Sequence, residues 1–188
     1  MAKLSGMNRF PDEVLRFDRG LLRAPGEQDL ADLTSACNDE AIRAWLPLPV
    51  PYTEQDARNF VFEHAVSQLA SGQGTERALE SQGRLCGMFG FHATNWSVGS
   101  TEAGYWLAPW GRGRGLMTTA LVVMTQWAFE QGMQRVAVRV ATRNLASLAV
   151  ALRAGFVIEG TMRQAGRASG VLVDHLLLSR LSTDPTPW

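Results

Sequence analysis

The chain has 188 residues, and its 18 Lys and Arg side chains balance 18 Asp and Glu side chains, so the formal net charge is zero. This length suits one domain with a sizeable core. An apolar content of 46% with 19% charged residues excludes a disordered chain. The balanced charge disfavours direct nucleic-acid binding through a broad basic surface.

Composition also predicts where the protein works. No run of about 18 apolar residues is present, so we expect no membrane span. Residues 1–9 lack an apolar stretch, so we expect no secretory signal and a cytoplasmic location. Cys37 and Cys86 are too few for a disulfide framework and lack metal-ligand spacing, so we predict two reduced thiols and no metal. We expect a domain over residues 14–181 with flexible ends at 1–13 and 182–188.

The first half of the chain predicts strands and helices in alternation. The predicted elements are a strand over 15–23, a helix over 29–38, a helix from Thr53 to about residue 69, and strands over 75–81, 84–93 and 101–108. Three prolines within residues 43–52 exclude a regular helix, so an extended apolar loop is expected there. Thr53 is a good helix N-cap, and Gln82-Gly83 suits a tight hairpin turn.

The second half predicts a strand–helix–strand arrangement. Its elements are a helix over 116–131, a strand over 134–140, a short helix that begins after Asn144 and ends at Gly155, and strands over 156–161 and 171–180. The apolar side chains of the first of these helices recur at helical spacing. The order indicates a mixed α/β domain whose front half is largely antiparallel.

A glycine- and arginine-rich loop joins a strand to the clearest helix. Residues 110–118 read WGRGRGLMT. Glycines let backbone N–H groups converge there, and the helix N-terminus adds free donors and a positive dipole end, so the position suits a phosphate. Arg112 and Arg114 would add charge-assisted hydrogen bonds. The loop matches neither the Gly-Lys-Ser/Thr phosphate loop nor the Gly-x-Gly-x-x-Gly fingerprint, and a plain arginine-rich turn is the alternative.

Four segments together resemble a known superfamily. EAGYWLAP at 102–109, RGRGL at 112–116, NLAS at 144–147 and Gly155-Phe156 resemble the GNAT acyl-CoA N-acyltransferases, and within them the RimJ/RimL-type acetyltransferases of ribosomal-protein N-termini. The resemblance covers about residues 15–181. It implies a single-domain α/β GNAT-like fold with a mixed, mostly antiparallel sheet flanked by helices, in which a splayed strand pair forms the acyl-CoA cleft. WLPLPVPYT at 45–53 resembles the substrate-side loop of that branch.

The resemblance implies which residues bind acetyl-CoA. Backbone N–H groups of the loop would hold the pyrophosphate, in a segment that comprises Arg112, Gly113, Arg114, Gly115, Leu116, Met117 and Thr118. The splayed strand, with Trp106, Leu107 and Ala108, would pair with the pantetheine arm. Met117 stands where the family has a small residue, which backbone binding tolerates if the side chain turns into the apolar helix face.

The resemblance also implies catalytic roles. Asn144 would contact the pantetheine arm, and Ser147 would protonate the leaving thiolate; helix capping is the structural alternative for both. Many members use a tyrosine as this acid, but the corresponding residue here is Ala151. Glu102, at the start of the strand that leads to the thioester site, is the first candidate for the base.

Candidates for the acceptor site are less specific. His92 has a suitable intrinsic pKa. Asp174 and His175 are adjacent in the last strand and so face opposite sides, and one of them would reach the cleft. The candidate acceptor-pocket aromatics are Trp45, Tyr52, Trp96 and Trp110.

The leading hypothesis is an acetyl-CoA-dependent N-acetyltransferase that moves an acetyl group to a primary amine by direct attack in a ternary complex. A protein N-terminal α-amine is the first acceptor considered; a small amine, such as an antibiotic or a polyamine, is the alternative. A pocket closed by aromatic side chains would favour the small molecule. A non-catalytic acyl-CoA-binding module and a transferase for longer acyl chains also stay open, as does a homodimer paired through an exposed last strand.

Overall fold

The computed structural model describes residues 9–187, in which eight strands form one mixed sheet. The strands are β1 (Leu15–Phe17), β2 (Gly20–Arg23), β3 (Thr75–Ser81), β4 (Arg84–Asn95), β5 (Ser100–Leu107), β6 (Arg135–Ala141), β7 (Val157–Ala168) and β8 (Val171–Leu181). Their order is β1-β2-β3-β4-β5-β6-β8-β7. All neighbouring pairs are antiparallel except β5 and β6, which are parallel. The predicted mixed, mostly antiparallel fold is confirmed.

The helices occupy both faces of this sheet. They are α1 (Leu30–Cys37), α2 (Glu40–Arg43), α3 (Glu54–Asn59), α4 (Ala65–Ala70), α5 (Leu116–Glu130) and α6 (Leu145–Arg153). A π-helical turn over Phe60–His64 joins α3 to α4, so the predicted helix after Thr53 is continuous. Thr53 caps it as expected, because its hydroxyl accepts a hydrogen bond from the Asp56 amide at 3.3 Å.

Strand alternation divides the core between the two faces. On β3, Ala78 packs with α1 and α3, whereas its neighbour Leu79 packs with α5. The larger core lies under α5 and α6 and contains Val136, Val138 and Val140 of β6. The predicted alternation of β6 is therefore confirmed.

Two strand predictions need correction. Residues 15–23 form a hairpin rather than one strand, because the chain turns between Phe17 and Gly20. Gly20 lets β2 lie close to β3, since a Cβ there would sit 2.4 Å from the Glu80 carbonyl oxygen. β7 continues to Ala168, beyond the predicted end at residue 161, because two register irregularities let it stay paired with β8.

The predicted acyl-CoA cleft depends on where β5 and β6 part. They pair only from Ser100 and Arg135 to Glu102 and Ala137. Beyond that point β5 remains paired with β4 as far as Leu107, and β6 with β8, so the facing edges of β5 and β6 diverge. The resulting opening passes between the two faces of the sheet.

The structure also bears on the predictions for the chain ends, the sheet edge, a membrane span and the two cysteines. Of the expected flexible ends, residues 1–8 and 188 lie outside the described residues, whereas Phe10 is buried against Phe91 and Trp127. The predicted exposed last strand is not at an edge, because β8 lies between β6 and β7; the two edge strands of the sheet are β1 and β7. Within residues 9–187, no helix is both long enough and apolar enough to cross a membrane. Cys37 and Cys86 are buried free thiols.

Candidate active site

The opening between β5 and β6 is the centre of a cleft of about 530 Å³. Its lining combines the splayed strands, the start of α5, the start of α6 and the end of α2. The predicted site residues that line it are Trp45, Trp106, Leu107, Arg112, Gly113, Met117, Asn144 and Ser147. The fold thus brings together segments that are separated by about a hundred residues in the sequence.

The start of α5 forms one end of the cleft. Gly115 is its N-cap and has a φ of 72°, a left-handed conformation that glycine adopts without strain. The first-turn amides that follow have no partner inside the helix, and the dipole makes this end positive. Gly113 also has a φ of 72°, so the loop turns twice to expose its backbone. This geometry suits a phosphate group.

Met117 and Leu116 are both buried in the core under α5, at 2% and 1% exposure. The Met117 side chain therefore turns into the apolar face of α5. This is the orientation that binding of a pyrophosphate by the loop backbone requires. Arg112 is held at the other side of the loop, where its Nη2 lies 2.5 Å from Oδ1 of Asp39. Ala108 is fully buried and donates its amide proton to the Cys86 carbonyl oxygen, so it supports the loop from behind.

A second cavity of about 510 Å³ adjoins the same helix end. Its lining includes three guanidinium groups, two threonines and one acid, from Arg19, Arg114, Arg153, Thr118, Thr119 and Asp18. Arg19 donates from Nη1 to the Arg114 carbonyl oxygen at 3.0 Å, which ties the β1–β2 turn to the loop. The predicted cofactor residues Arg114, Gly115 and Thr118 meet here, beside the main cleft rather than inside it.

Asn144 and Ser147 occupy the far end of the cleft. Asn144 caps α6 by accepting the Ser147 amide proton at 3.1 Å, so the capping alternative is realised for Asn144. The Ser147 hydroxyl lies 3.3 Å from the phenol oxygen of Tyr105, which donates to the Ser147 carbonyl oxygen at 3.1 Å. Burial raises the pKa of Tyr105 to about 12, against the smaller lowering by Ser147.

Glu102 and His92 lie outside the residues that line the cleft. Oε1 of Glu102 accepts from Nε of Arg139 at 2.7 Å and lies 3.3 Å from Nε2 of His92. Burial raises the pKa of Glu102, but the hydrogen bonds from His92 and Arg139 outweigh it, so the pKa lies below its usual range. The carboxylate already accepts hydrogen bonds from Arg139 and His92 and its pKa is low, so it is a poor proton acceptor and a role as the base is disfavoured.

The four aromatic candidates for the acceptor pocket lie in different parts of the structure. Trp45 lines the cleft. Tyr52 is 7% exposed in the core beneath α1 and α3. Trp96 contacts Phe10 and donates to the Gly72 carbonyl oxygen at 2.8 Å. Trp110 donates to the Leu85 carbonyl oxygen at 2.7 Å. No aromatic enclosure is therefore built around the cleft from these four side chains.

The last strand places its two candidates on opposite faces, as expected. His175 lines the cleft, whereas Asp174 does not. Oδ1 of Asp174 accepts the Gln164 amide proton at 2.8 Å and so fixes the bend of β7.

Sequence reasoning missed Tyr105 and Arg139, which both line the cleft. Tyr105 sits within the recognised EAGYWLAP segment, but its contact with Ser147 spans 42 residues. Arg139 lies on the polar side of β6, and that alternation was the only available signal. No sequence pattern indicated that Arg19 and Arg153 line a cavity beside the loop.

Comparisons with known proteins agree on the family. The model of the acetyltransferase (GNAT) domain matches residues 19–157. "Putative ribosomal N-acetyltransferase YdaF" of Bacillus subtilis (strain 168) is 32% identical over 165 residues, which cover 85% of this chain and 90% of that protein. The ribosomal-protein-serine acetyltransferase of Escherichia coli (strain K12) is 29% identical over 130 residues, covering 69% of this chain and 72% of its own.

A solved structure of another acetyltransferase has the same fold. The ribosomal L7/L12 α-N-protein acetyltransferase RimL in complex with coenzyme A superposes with a TM-score of 0.82 at 26% identity, covering 90% of this chain and 98% of that chain. This chain therefore belongs to the GNAT acetyltransferase family and is an N-acetyltransferase of the RimJ/RimL type.

Proposed function

We propose that the protein transfers the acetyl group of acetyl-CoA to the N-terminal α-amine of a protein or peptide. The divergence of β5 from β6 beside the start of α5 carries this proposal, because it provides backbone donors, a phosphate-binding helix end and a continuous cleft together. Acetyl-CoA would supply the acetyl thioester and a thiolate leaving group. The RimL relative is solved with coenzyme A, which supports this cosubstrate.

The residues present fit acetyl-CoA along its length. The amides of the loop from Arg112 to Thr118 suit the pyrophosphate. The edge of β5 that faces β6 presents the backbone groups of Tyr105 and Leu107, whereas those of Trp106 and Ala108 turn toward β4. The free edge at Tyr105 and Leu107 suits the amides of the pantetheine arm, and Asn144 lines the same cleft. The guanidinium groups of the second cavity suit the remaining phosphate of coenzyme A.

Two observations support an α-amine acceptor. Of the four candidate acceptor-pocket aromatics only Trp45 lines the cleft, so those four side chains do not enclose a small-molecule pocket; the other aromatics that line it, Tyr105 and Trp106, belong to the coenzyme strand β5. An α-amine with a pKa near 8 is roughly 10% neutral at pH 7, whereas a lysine is about 0.04% neutral, a handicap of roughly 3.3 kcal/mol. The E. coli and RimL relatives are named for acetylation of ribosomal proteins.

The chain's own groups would carry the chemistry. Backbone N–H groups on the free edge of β5 would polarise the thioester carbonyl. Ser147 donates its hydroxyl proton to the Tyr105 phenol oxygen at 3.3 Å and would turn that proton to the leaving thiolate, in the role that Ala151 cannot fill. We also propose a cytoplasmic location, which the two buried thiols suit, while the homodimer stays a prediction.

A thiol-release assay tests the function. The acceptors are peptides with a free N-terminal serine, alanine or methionine, the same peptides with a blocked α-amine and one lysine, spermidine and an aminoglycoside. We expect release with the free peptides and none with the blocked ones. A tenfold preference for spermidine or the aminoglycoside would assign a small-molecule acceptor. Coenzyme binding without any thiol release would identify a non-catalytic module.

Arg153→Ala should weaken coenzyme A binding about tenfold, or about 1.4 kcal/mol, because one charge-assisted contact to a phosphate is lost. Binding of 3′-dephospho-coenzyme A should change less than about twofold. Calorimetric titration of both ligands checks this. Arg167→Ala, which removes an exposed arginine on β7 far from the loop, is the matched control. Equal weakening for both ligands would place the 3′-phosphate elsewhere.

Ser147→Ala should lower kcat about tenfold without changing the Kd of acetyl-CoA more than about twofold. The effect lies below the usual range for proton transfer, because a thiol with a pKa near 8.5 leaves with little help. Tyr105→Phe should have a smaller effect, and the double variant should be no worse than Ser147→Ala, since the two hydroxyls act together. Additive losses would mean that Tyr105 acts independently. Ser97→Ala, on an exposed turn, is the control.

A further inference from the structure

One wall of the cleft is a loop over residues 38–52 whose two ends are tied together. The Asn38 side chain closes its base, because Nδ2 donates to the Tyr52 carbonyl oxygen at 2.7 Å and Oδ1 accepts the Tyr52 amide proton at 3.0 Å. Closed surface loops of this size are frequently functional. Since the start of α5 and the free edge of β5 are assigned to acetyl-CoA, the 38–52 loop is a wall that is left for the acceptor. Its cleft-lining residues are Ala41, Ile42, Trp45 and Leu46.

Little apolar packing holds the 38–52 loop in place. Ile42 is buried in a cluster whose other buried members are two alanines, Ala36 and Ala108. Small buried side chains contribute little hydrophobic stabilisation. The helix in this loop, α2, has four residues and is too short to be stable alone. The position of α2 therefore depends on polar contacts as well.

Asp39 makes two of these polar contacts with one oxygen atom. Its Oδ1 accepts the Ile42 amide proton at 3.2 Å, which caps the start of α2. The same Oδ1 accepts from Nη2 of Arg112 at 2.5 Å, in an ion pair whose side chains are 23% and 40% exposed. One carboxylate thus fixes the first turn of α2 and joins it to the start of the phosphate-binding loop.

The guanidinium of Arg112 is directed toward β5. Its Nε donates to the Leu107 carbonyl oxygen at 3.3 Å. That carbonyl lies on the free edge of β5, because the backbone groups of Trp106 and Ala108 turn toward β4. Arg112 therefore contacts the coenzyme strand and the acceptor wall together, whereas Arg114 lines the second cavity with the other guanidinium groups.

We propose that Asp39 is a positioning residue for the acceptor, which acts through Arg112 to hold the 38–52 loop at a fixed distance from the free edge of β5. This inference rests on the proposed acetyl transfer and deepens it. In this arrangement Arg112 bridges two walls of the cleft and does not bind a phosphate of acetyl-CoA. A reacting amine must come within about 3–3.5 Å of the thioester carbon, so the spacing of these walls decides how well the acceptor is placed.

Asp39→Asn tests the bridge, because asparagine is as good an N-cap as aspartate but carries no charge. We expect the KM of the acceptor to rise about fivefold, with kcat and the Kd of acetyl-CoA each within about twofold of the parent, since only acceptor binding is lost. The effect is modest because the ion pair is partly exposed. An unchanged acceptor KM, or weaker binding of acetyl-CoA, would overturn the proposal.

Arg112→Gln distinguishes a bridge from a phosphate ligand. A bridge predicts the same rise in the acceptor KM as in Asp39→Asn and an acetyl-CoA Kd within about twofold of the parent's. The double variant should be no more than about twofold worse than either single variant, because the two side chains act as one unit. Acetyl-CoA binding weakened about tenfold with an unchanged acceptor KM would assign Arg112 to a phosphate. Additive losses would show that Asp39 acts without Arg112, and either result overturns the proposal.

Fluorine-19 NMR of the protein labelled with 5-fluorotryptophan reports the position of the loop without turnover. The Trp45 resonance is assigned by its loss in Trp45→Phe. We expect Asp39→Asn and Arg112→Gln to shift or broaden this resonance and to leave that of Trp96, which does not line the cleft. A Trp45 resonance that both variants leave unchanged would contradict the bridge.

Two further variants separate the bridge from general stability. Asp39→Glu restores the charge and should recover part of the acceptor KM, although glutamate is not a preferred N-cap. Glu159→Gln breaks the Arg135–Glu159 ion pair, also 2.5 Å long, near the end of β6 that pairs with β5. This control should leave the acceptor KM within about twofold of the parent's.

All assays use the amine that releases most thiol with the parent protein. A parent that binds no acetyl-CoA, or releases thiol with no amine, would refute the proposed function and the bridge with it. An active parent whose acceptor KM is unaffected by Asp39→Asn would refute the bridge alone.

Discussion

Gly115→Glu is expected to remove measurable binding of acetyl-CoA. The loop geometry predicts a Kd between about 1 and 100 μM for the parent, or roughly −8 to −5.5 kcal/mol, and a Kd at least about 100-fold higher for the variant. A Cβ at Gly115 meets nothing within 4 Å, so the new side chain has room and its carboxylate comes to lie at the helix end. There it repels the pyrophosphate and occupies the space in front of the free amides.

The variant also forces a non-glycine residue into a left-handed conformation, which costs roughly 1–2 kcal/mol. Gly115→Asn carries a similar strain without the charge, because asparagine tolerates this conformation, and it should bind acetyl-CoA within about tenfold of the parent. Gly170→Glu places the same charge at a φ of 79° in the β7–β8 turn, and it should leave binding unchanged. Calorimetric titration at 25 °C checks all three. Binding by Gly115→Glu within tenfold of the parent would mean that the pyrophosphate does not lie at this helix end.

Local pattern was sufficient to predict most of the fold. The helical spacing of Met117, Leu121 and Met124 defined α5, and the alternation of valines defined β6, because burial on one face imposes these periods. The hairpin at residues 15–23 was missed because its two turn residues, Asp18 and Arg19, are neither glycine nor proline, and Gly20 directly after them was not taken as a turn signal. The extension of β7 was missed because pairing with β8 overrides its glycines.

The candidate site also has parts that the sequence predicted and parts that it did not. The phosphate-binding loop and the Asn144 cap depend on neighbouring residues, and both were readable in the sequence. The Tyr105–Ser147 contact and the Arg139–Glu102 ion pair depend on where two strands separate, which sequence spacing does not encode. The choice between Asp174 and His175 also required the face that β8 presents, and hence its register with β6.

The wall of the cleft depends on the core behind it, and Phe89 is the side chain that joins them. Phe89 is fully buried on β4, edge-on to Phe91 at 5.2 Å between ring centroids and stacked with Tyr105 at 6.3 Å. Phe89→Ala should lower the free energy of unfolding by about 3–5 kcal/mol, because it removes a buried ring and leaves a cavity. The Tm should fall by roughly 6–20 °C, at about 2–4 °C per kcal/mol for a domain of this size.

Phe62→Ala is the matched control, because it removes the same ring from a side chain that is 47% exposed. Its free energy of unfolding should stay within about 0.5 kcal/mol of the parent's. Chemical denaturation and calorimetric melting of both variants provide the comparison. The cavity also frees one face of the Tyr105 ring, so kcat of folded Phe89→Ala should fall several-fold at temperatures well below its Tm. Full activity in a destabilised Phe89→Ala would show that Tyr105 is held by Ser147 rather than by the core. A loss of stability below about 1 kcal/mol would mean that the core under α5 closes over the missing ring.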